Sequence, residues 1–161
     1  MISINTYETL LSTISKQEQT LQFNSFNHKT ALDLGLLLIE KANKEQKSIT
    51  IDITKHGQQL FHYACEGTSP DQDEWIRRKN KVVNRFYTSS LYLGTRLKSL
   101  NTSIEEKYLL SPLEYAPYGG AFPIILKGTG VIGTITISGL KQEEDHQFIV
   151  DVLTLFLNVP Y

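Results

Sequence analysis

The stretch Tyr118–His146, YGGAFPIILKGTGVIGTITISGLKQEEDH, constrains the fold more than any other. Gly119 and Gly120 license positive φ immediately before an apolar run. Phe122, Ile124 and Leu126 then alternate with Ala121, Pro123, Ile125 and Lys127, as on a strand. Lys127–Gly130 carries turn residues, and the return strand points Val131, Gly133, Ile135 and Ile137 one way and Ile132, Thr134, Thr136 and Ser138 the other. Ser138-Gly139 closes it. Glu143, Glu144 and Asp145 open a helix, where negative charge suits the positive end of the dipole. The pattern is strand, tight turn, strand, sharp corner, helix.

The rest of the chain repeats the theme. A helix is expected over about 5–19, with a narrow stripe of Tyr7, Leu10, Leu11 and Ile14 that suits an edge or a subunit contact. Leu21–Phe23 is a short strand candidate. Asn27 caps a helix through about Lys44, and Gly35 inside it implies close packing on another backbone. Ser48–Thr54 alternates, with Ile49, Ile51 and Ile53 toward a core and Thr50, Asp52 and Thr54 away from it. Lys55-His56-Gly57 turns into Gln59–Ala64, where His62 shares a face with Leu60 and Ala64. A loop at 67–73 leads to one long helix, about Asp73–Leu100, in which Ser89, Ser90 and Gly94 are candidate points for a bend. A polar stretch at 101–107 and a proline-bearing loop follow, and the last helix covers about Gln142–Leu157. Hairpins with intervening helices make an α+β domain on one antiparallel sheet, residues 1–161, with residues 1–20 peripheral or at an interface.

Composition excludes some functions. The 161 residues carry 16 basic and 17 acidic side chains, a net charge of −1 that gives nucleic acid no electrostatic purchase. No apolar run approaches the roughly 18 residues needed for a membrane span. The opening MISINTYETLLSTISK lacks a basic segment followed by an apolar one, so no signal peptide is expected. One cysteine, Cys65, cannot form an intrachain disulfide, which fits a cytoplasmic setting.

Four blocks, ALDLG at 31–35, GTSPDQDEWIRRKNKVVNRFYTSS at 67–90, YGGAFPI at 118–124 and GVIGTITISGLKQEEDH at 130–146, resemble the UPF0303 family, within the haem-degrading HbpS-like and GlcG-like superfamily. The resemblance implies a profilin-like fold, a central antiparallel sheet of about five strands flanked by helices, and a homo-oligomer. The superfamily name implies haem as a candidate cofactor. It transfers no ligand residue and no reaction.

Candidate site residues follow from chemistry. Arg77, Lys81 and Arg85 recur at i, i+4, i+8 with Arg78 beside them. This basic stripe suits a carboxylate or propionate, or pairs with Asp71, Asp73, Glu74 or another subunit. Tyr118, Gly119, Gly120 and Phe122 suit a pocket wall. His146, beside Asp145, reads as a structural hydrogen-bonding group, a ligand contact or an acid/base group. If haem binds, His146 or His62 is the iron ligand. Four dispersed histidines and one cysteine make no closed metal set. Gly128-x-Gly130 precedes a strand, which rules out a phosphate loop. Arg78, Arg85, Tyr118, Gly119, Gly120, Phe122 and His146 are the ligand contacts expected. The chain then reads as a binding or accessory protein for a small anionic or tetrapyrrole-like ligand. A haem-degrading enzyme and a protein-interaction scaffold are the alternatives.

Overall fold

A computed structural model describes residues 4–160 of the chain. Six helices and four strands form within them: α1 Ile4–Thr20, α2 His28–Lys44, β1 Thr50–Lys55, β2 Gln58–Ala64, α3 Pro70–Phe86, α4 Ser90–Ser99, α5 Ile104–Tyr108, β3 Ala121–Leu126, β4 Gly130–Ser138 and α6 Gln142–Phe156. The sheet has the order β2-β1-β4-β3 and every neighbouring pair is antiparallel.

Local chemistry accounts for most boundaries. Asn27 accepts from the Thr30 amide while the Thr30 hydroxyl accepts from the Asn27 amide, so the first turn of α2 satisfies its own free donors. His56 and Gly57, at φ 49° and 79°, make the two-residue turn between β1 and β2. Gly35 does pack tightly, but against a side chain and not a backbone: a Cβ there would lie 2.5 Å from the Phe61 ring.

The sheet is covered on both faces. Ile49, Ile51, Ile53, Ile135 and Ile137 point toward α2 and α6 in the main core, and all are fully buried. Each contributes about 1.5–3 kcal/mol by leaving water. The opposite face carries Thr50, Asp52, Thr134, Thr136 and Ser138, all at most 4% exposed, and α3 lies across it. Asn80 of α3 donates to Asp52 and is hydrogen-bonded to the Thr136 hydroxyl, whereas the Thr50 and Thr134 hydroxyls have no partner among the described residues. Val82, Leu93, Leu97 and Ile104 form a second, smaller core among α3, α4 and α5. Leu11 and Ile14 are buried, and α1 packs on α4 within the chain.

Several expectations are corrected. The sheet has four strands, not about five: of Leu21–Phe23 only Phe23 bridges, in parallel, to Leu126. Leu21, Phe23 and Phe26 all sink into the core, with Phe23 and Phe26 edge-to-face at 4.9 Å, so the chain must turn before a ladder extends. The long helix is two. Tyr87 takes φ 55°, and Ser89 caps α4 by accepting from the Tyr92 amide. The polar stretch at 101–107 contains α5, started by a Ser103–Glu106 capping box. A register shift between Ile53 and Thr54 lets Leu60 and Phe61 both join the main core, so His62 shares its face with Gln59 instead of Leu60. A second shift, between Ile124 and Ile125, accompanies the entry of Ile132 into that core.

Candidate functional site

The polar face of the sheet opens at one end, where β4 finishes at Ser138. A cleft of about 330 Å³ lies there, lined by Asp71, Gln72, Trp75, Lys79, Tyr118, Ser138, Gly139, Leu140, Gln142 and Asp145. Three distant segments meet in it: the start of α3, the loop before β3, and the corner between β4 and α6. Gln72 reaches back to the Ser69 amide at 2.7 Å, and Gln142 Oε1 accepts from the Gly119 amide at 3.1 Å. The first turns of α3 and α6 thus both border the cleft, each with the positive end of its dipole.

Its floor is an ion pair. Lys79 Nζ lies 3.1 Å from Asp145 Oδ2 and 3.4 Å from the Ile137 carbonyl oxygen, and both side chains are at most 4% exposed. Asp145 Oδ1 accepts from the Leu140 amide at 3.1 Å. Burial pulls the Lys79 amine below its ordinary value, against the pull of Asp145. Burial likewise pushes the Asp145 carboxyl up to about 6. Both shifts run in the direction desolvation dictates, and a desolvated charge pair in a cleft is a candidate functional feature. One wall is aromatic: Trp75 and Tyr118 stand edge-to-face at 5.9 Å. The Arg78 guanidinium lies 4.2 Å from the Trp75 ring centre, on the indole.

The expected site residues divide. Tyr118 lines the cleft; Gly119 and Gly120 do not, but pack against residues that do, since a Cβ on Gly120 would meet Lys79 Nζ at 2.5 Å and one on Gly119 the Gln142 carbonyl at 2.1 Å. Arg78 supports the Trp75 wall and donates to the Pro112 carbonyl. Arg85 lies apart, 5.9 Å from the Tyr115 ring. The basic stripe is occupied within the chain: Arg77 pairs with Glu74 and Glu114, and Lys81 with Glu114. Those hydrogen bonds, Lys81 first and then Arg77, hold the Glu114 carboxyl below its usual range. Phe122 is fully buried on the other face of the sheet, its ring 5.7 Å from His146. His146 is 3% exposed, with Nε2 2.7 Å from Gln17 Oε1 and Nδ1 without a partner among the described residues, and burial lowers it to about 4. His62 Nε2 lies 2.7 Å from Asp73 Oδ1.

Lys79, Asp145, Trp75, Asp71, Gln72, Ser138 and Gln142 complete the cleft without having been singled out as ligand contacts. A signal existed for Lys79. It follows Ile76 by three and precedes Val82 and Val83 by three and four, so it falls on the buried stripe of α3. A lysine at such a position needs a carboxylate partner.

The residues present do not fit haem in this cleft. Its volume is at the small end of the roughly 300–1,000 Å³ typical of ligand pockets, and a tetrapyrrole is larger. Its lining has no imidazole, thiol or thioether, leaving the Tyr118 phenol as the one iron-ligand type. Among the described residues no three His, Cys, Asp or Glu side chains gather as a metal site, and no helix is long and apolar enough to cross a membrane.

Comparison with known proteins places these features in a lineage. A family model described as haem degrading protein HbpS-like matches residues 26–154. A UPF0303 protein of Serratia proteamaculans is 48% identical over 149 residues, 92% of either chain. The crystal structure of the Ybr137w protein superimposes with a TM-score of 0.86 at 35% identity, over 92% of this chain and 87% of that one. A complex of PduOC with haem gives 0.67 at 18% identity, over 84% of this chain and 97% of that one, a likeness of fold.

Proposed function

The chain belongs to the HbpS-like haem-degrading family, in its UPF0303 branch, and from that premise we propose that it is a cytoplasmic, homo-oligomeric binding protein whose cleft between α3 and α6 takes a small flat ligand bearing a carbonyl or carboxylate group. The observation that carries the reading is the convergence of Trp75, Tyr118, Lys79 and Asp145, from three separate segments, on one cleft. The aromatic wall favours a flat body. The N–H bonds of Lys79 and two helix N-termini favour an electron-rich oxygen, against which Asp71 selects modest overall charge.

Trp75 is the one tryptophan in the chain, so its fluorescence reports the cleft directly. Titration with benzoate, benzaldehyde or glyoxylate is expected to change Trp75 emission saturably, and Lys79→Met is expected to abolish the change. No saturable change with any of the three would sink the reading and leave haem binding, or assembly itself as a protein-interaction scaffold, as the function.

Haem binding is the second reading, and His62 supports it. Its ring is 36% exposed, Nε2 is held by the Asp73 carboxylate, and Nδ1 has no hydrogen bond among the described residues. A carboxylate that fixes one imidazole nitrogen is the usual orienting partner of a metal-binding histidine. A saturable Soret shift on adding haem, lost in His62→Ala, would establish this reading; a shift that survives the substitution would reject His62 as the ligand, and no saturable shift would reject haem binding.

A further inference from the structure

The cleft floor has a geometry beyond what binding requires. Two acceptors face Lys79 Nζ, Asp145 Oδ2 at 3.1 Å and the Ile137 carbonyl at 3.4 Å. The nitrogen's remaining direction is toward the cleft, where the Trp75 ring centre lies 5.9 Å from Nζ. Space beside the nitrogen is kept by an absent side chain, since a Cβ on Gly120 would lie 2.5 Å from Nζ and 3.3 Å from Asp145 Cβ. The carboxyl group touching the amine also lines the cleft, so both groups face the same small volume.

We propose that Lys79 is a nucleophilic amine that condenses with the carbonyl carbon of a small aldehyde or 2-oxo acid held against Trp75, with Asp145 moving the protons. The assignment rests on the cleft being the ligand site. The Nζ lone pair forms the new C–N bond while the C=O π pair moves to oxygen, which takes a proton from Asp145. The nitrogen then releases a proton to the carboxylate, the hydroxyl leaves as water on reprotonation, and an imine remains. One water is lost and nothing is oxidised or reduced. Desolvation pulls the amine below its ordinary value, Asp145 opposes that pull, and the Arg78 charge adds a smaller lowering, the direction an amine nucleophile needs. Asp145 is itself pushed up by burial and by Glu144, and Asp71 is the other charged group in the lining.

The test uses the full chain at pH 7 with benzaldehyde or glyoxylate and sodium cyanoborohydride, which reduces an imine to a stable amine read by mass and peptide mapping. Lys79 is expected to be labelled ahead of Lys29, whose side chain is 70% exposed. Lys79→Arg, which keeps the pair with Asp145, removes that adduct. Asp145→Asn slows it by about 10²-fold, the scale of lost general acid–base assistance. If Asp145→Asn does not fold, the order of labelling in the unsubstituted chain decides alone. Lys79 labelled no faster than Lys29, in protein whose Trp75 emission still responds saturably to benzaldehyde, overturns the amine assignment and leaves the binding site standing. Loss of the Trp75 response as well would overturn both.

Discussion

Glu18 is a residue whose chemistry runs against its surroundings. It accepts from the Thr88 hydroxyl at 2.9 Å and from the Ser89 amide, joining α1 to the corner between α3 and α4. Burial pushes its carboxyl from 4.5 up to about 7, although both hydrogen bonds pull it down. Between those two values the folded chain keeps a proton that the unfolded chain has released. Stability from this group is therefore full below pH 4.5 and is lost as pH rises toward 7. Glu18→Gln keeps a carbonyl for Ser89 and an amide for Thr88 and removes the titration. Denaturant unfolding at pH 5 and pH 8 is expected to show a smaller drop in the variant than in the unsubstituted chain, by about 2 kcal/mol. His146 works in the opposite sense. Its folded value of about 4 lies below the ordinary 6.5, so stability from the neutral ring is full above pH 6.5 and lost as pH falls toward 4. His146→Gln, which can still meet Gln17, is expected to flatten that acid limb. An unchanged slope between pH 4 and 6.5 would show that the ring titrates without cost.

At the scale of elements, α4 and the loop before β3 fix the cleft's aromatic wall through one glycine. A Cβ on Gly94 would lie 2.0 Å from the Pro117 carbonyl oxygen, one residue ahead of Tyr118. Gly94→Ala is expected to destabilise the fold by about 1–3 kcal/mol and to blunt the Trp75 fluorescence response, because relief of the clash moves Tyr118. A variant with undiminished unfolding free energy and full response would show that the loop adjusts freely. Sequence patterns revealed α2, both hairpins and α6, because a cap, a turn and a hydrophobic period are local signals carried by Asn27, Gly57 and the apolar face of α6. They did not reveal the break at Tyr87, where a non-glycine residue takes positive φ beside a contact from Glu18, seventy residues away. Alternation distinguished Thr134 and Thr136 from Ile135 and Ile137 but said nothing about what covers the polar face. The blocks that meet at the cleft were visible in the sequence. Their meeting point was not, because the partner of Lys79 lies on another element and the basic stripe next to it drew the eye toward residues that are tied to Glu114.

For the whole molecule, the open question is what covers β2. It is an edge strand of seven residues, paired on one side with β1, and QQLFHYA contains no Asp, Glu, Lys, Arg or Pro. Edge strands are normally blunted by such residues, since an open edge invites pairing with another chain. Apolar surface continues beside it. Leu32 and Leu36, one turn apart on α2, are 44% and 52% exposed, and Tyr63 of β2 is 43% exposed on the same face of the strand as Phe61, whose ring packs on Gly35 between the two leucines. A second copy of the chain meets the requirements of this surface, because it brings an identical uncharged edge and an identical apolar strip. Light scattering at micromolar concentration is expected to give a multiple of the 18.3 kDa chain mass. Tyr63→Lys or Leu36→Lys is expected to bring it down toward a single chain, since a lysine buried at a self-complementary contact meets its own copy. The cleft lies on the opposite face of the sheet, under α3, so the same variants are expected to keep the saturable Trp75 response. A mass of one chain in the unsubstituted protein would reject the assembly. A variant that stays assembled would move the contact elsewhere, and one that loses both mass and response would mean that the cleft is completed across the subunit boundary.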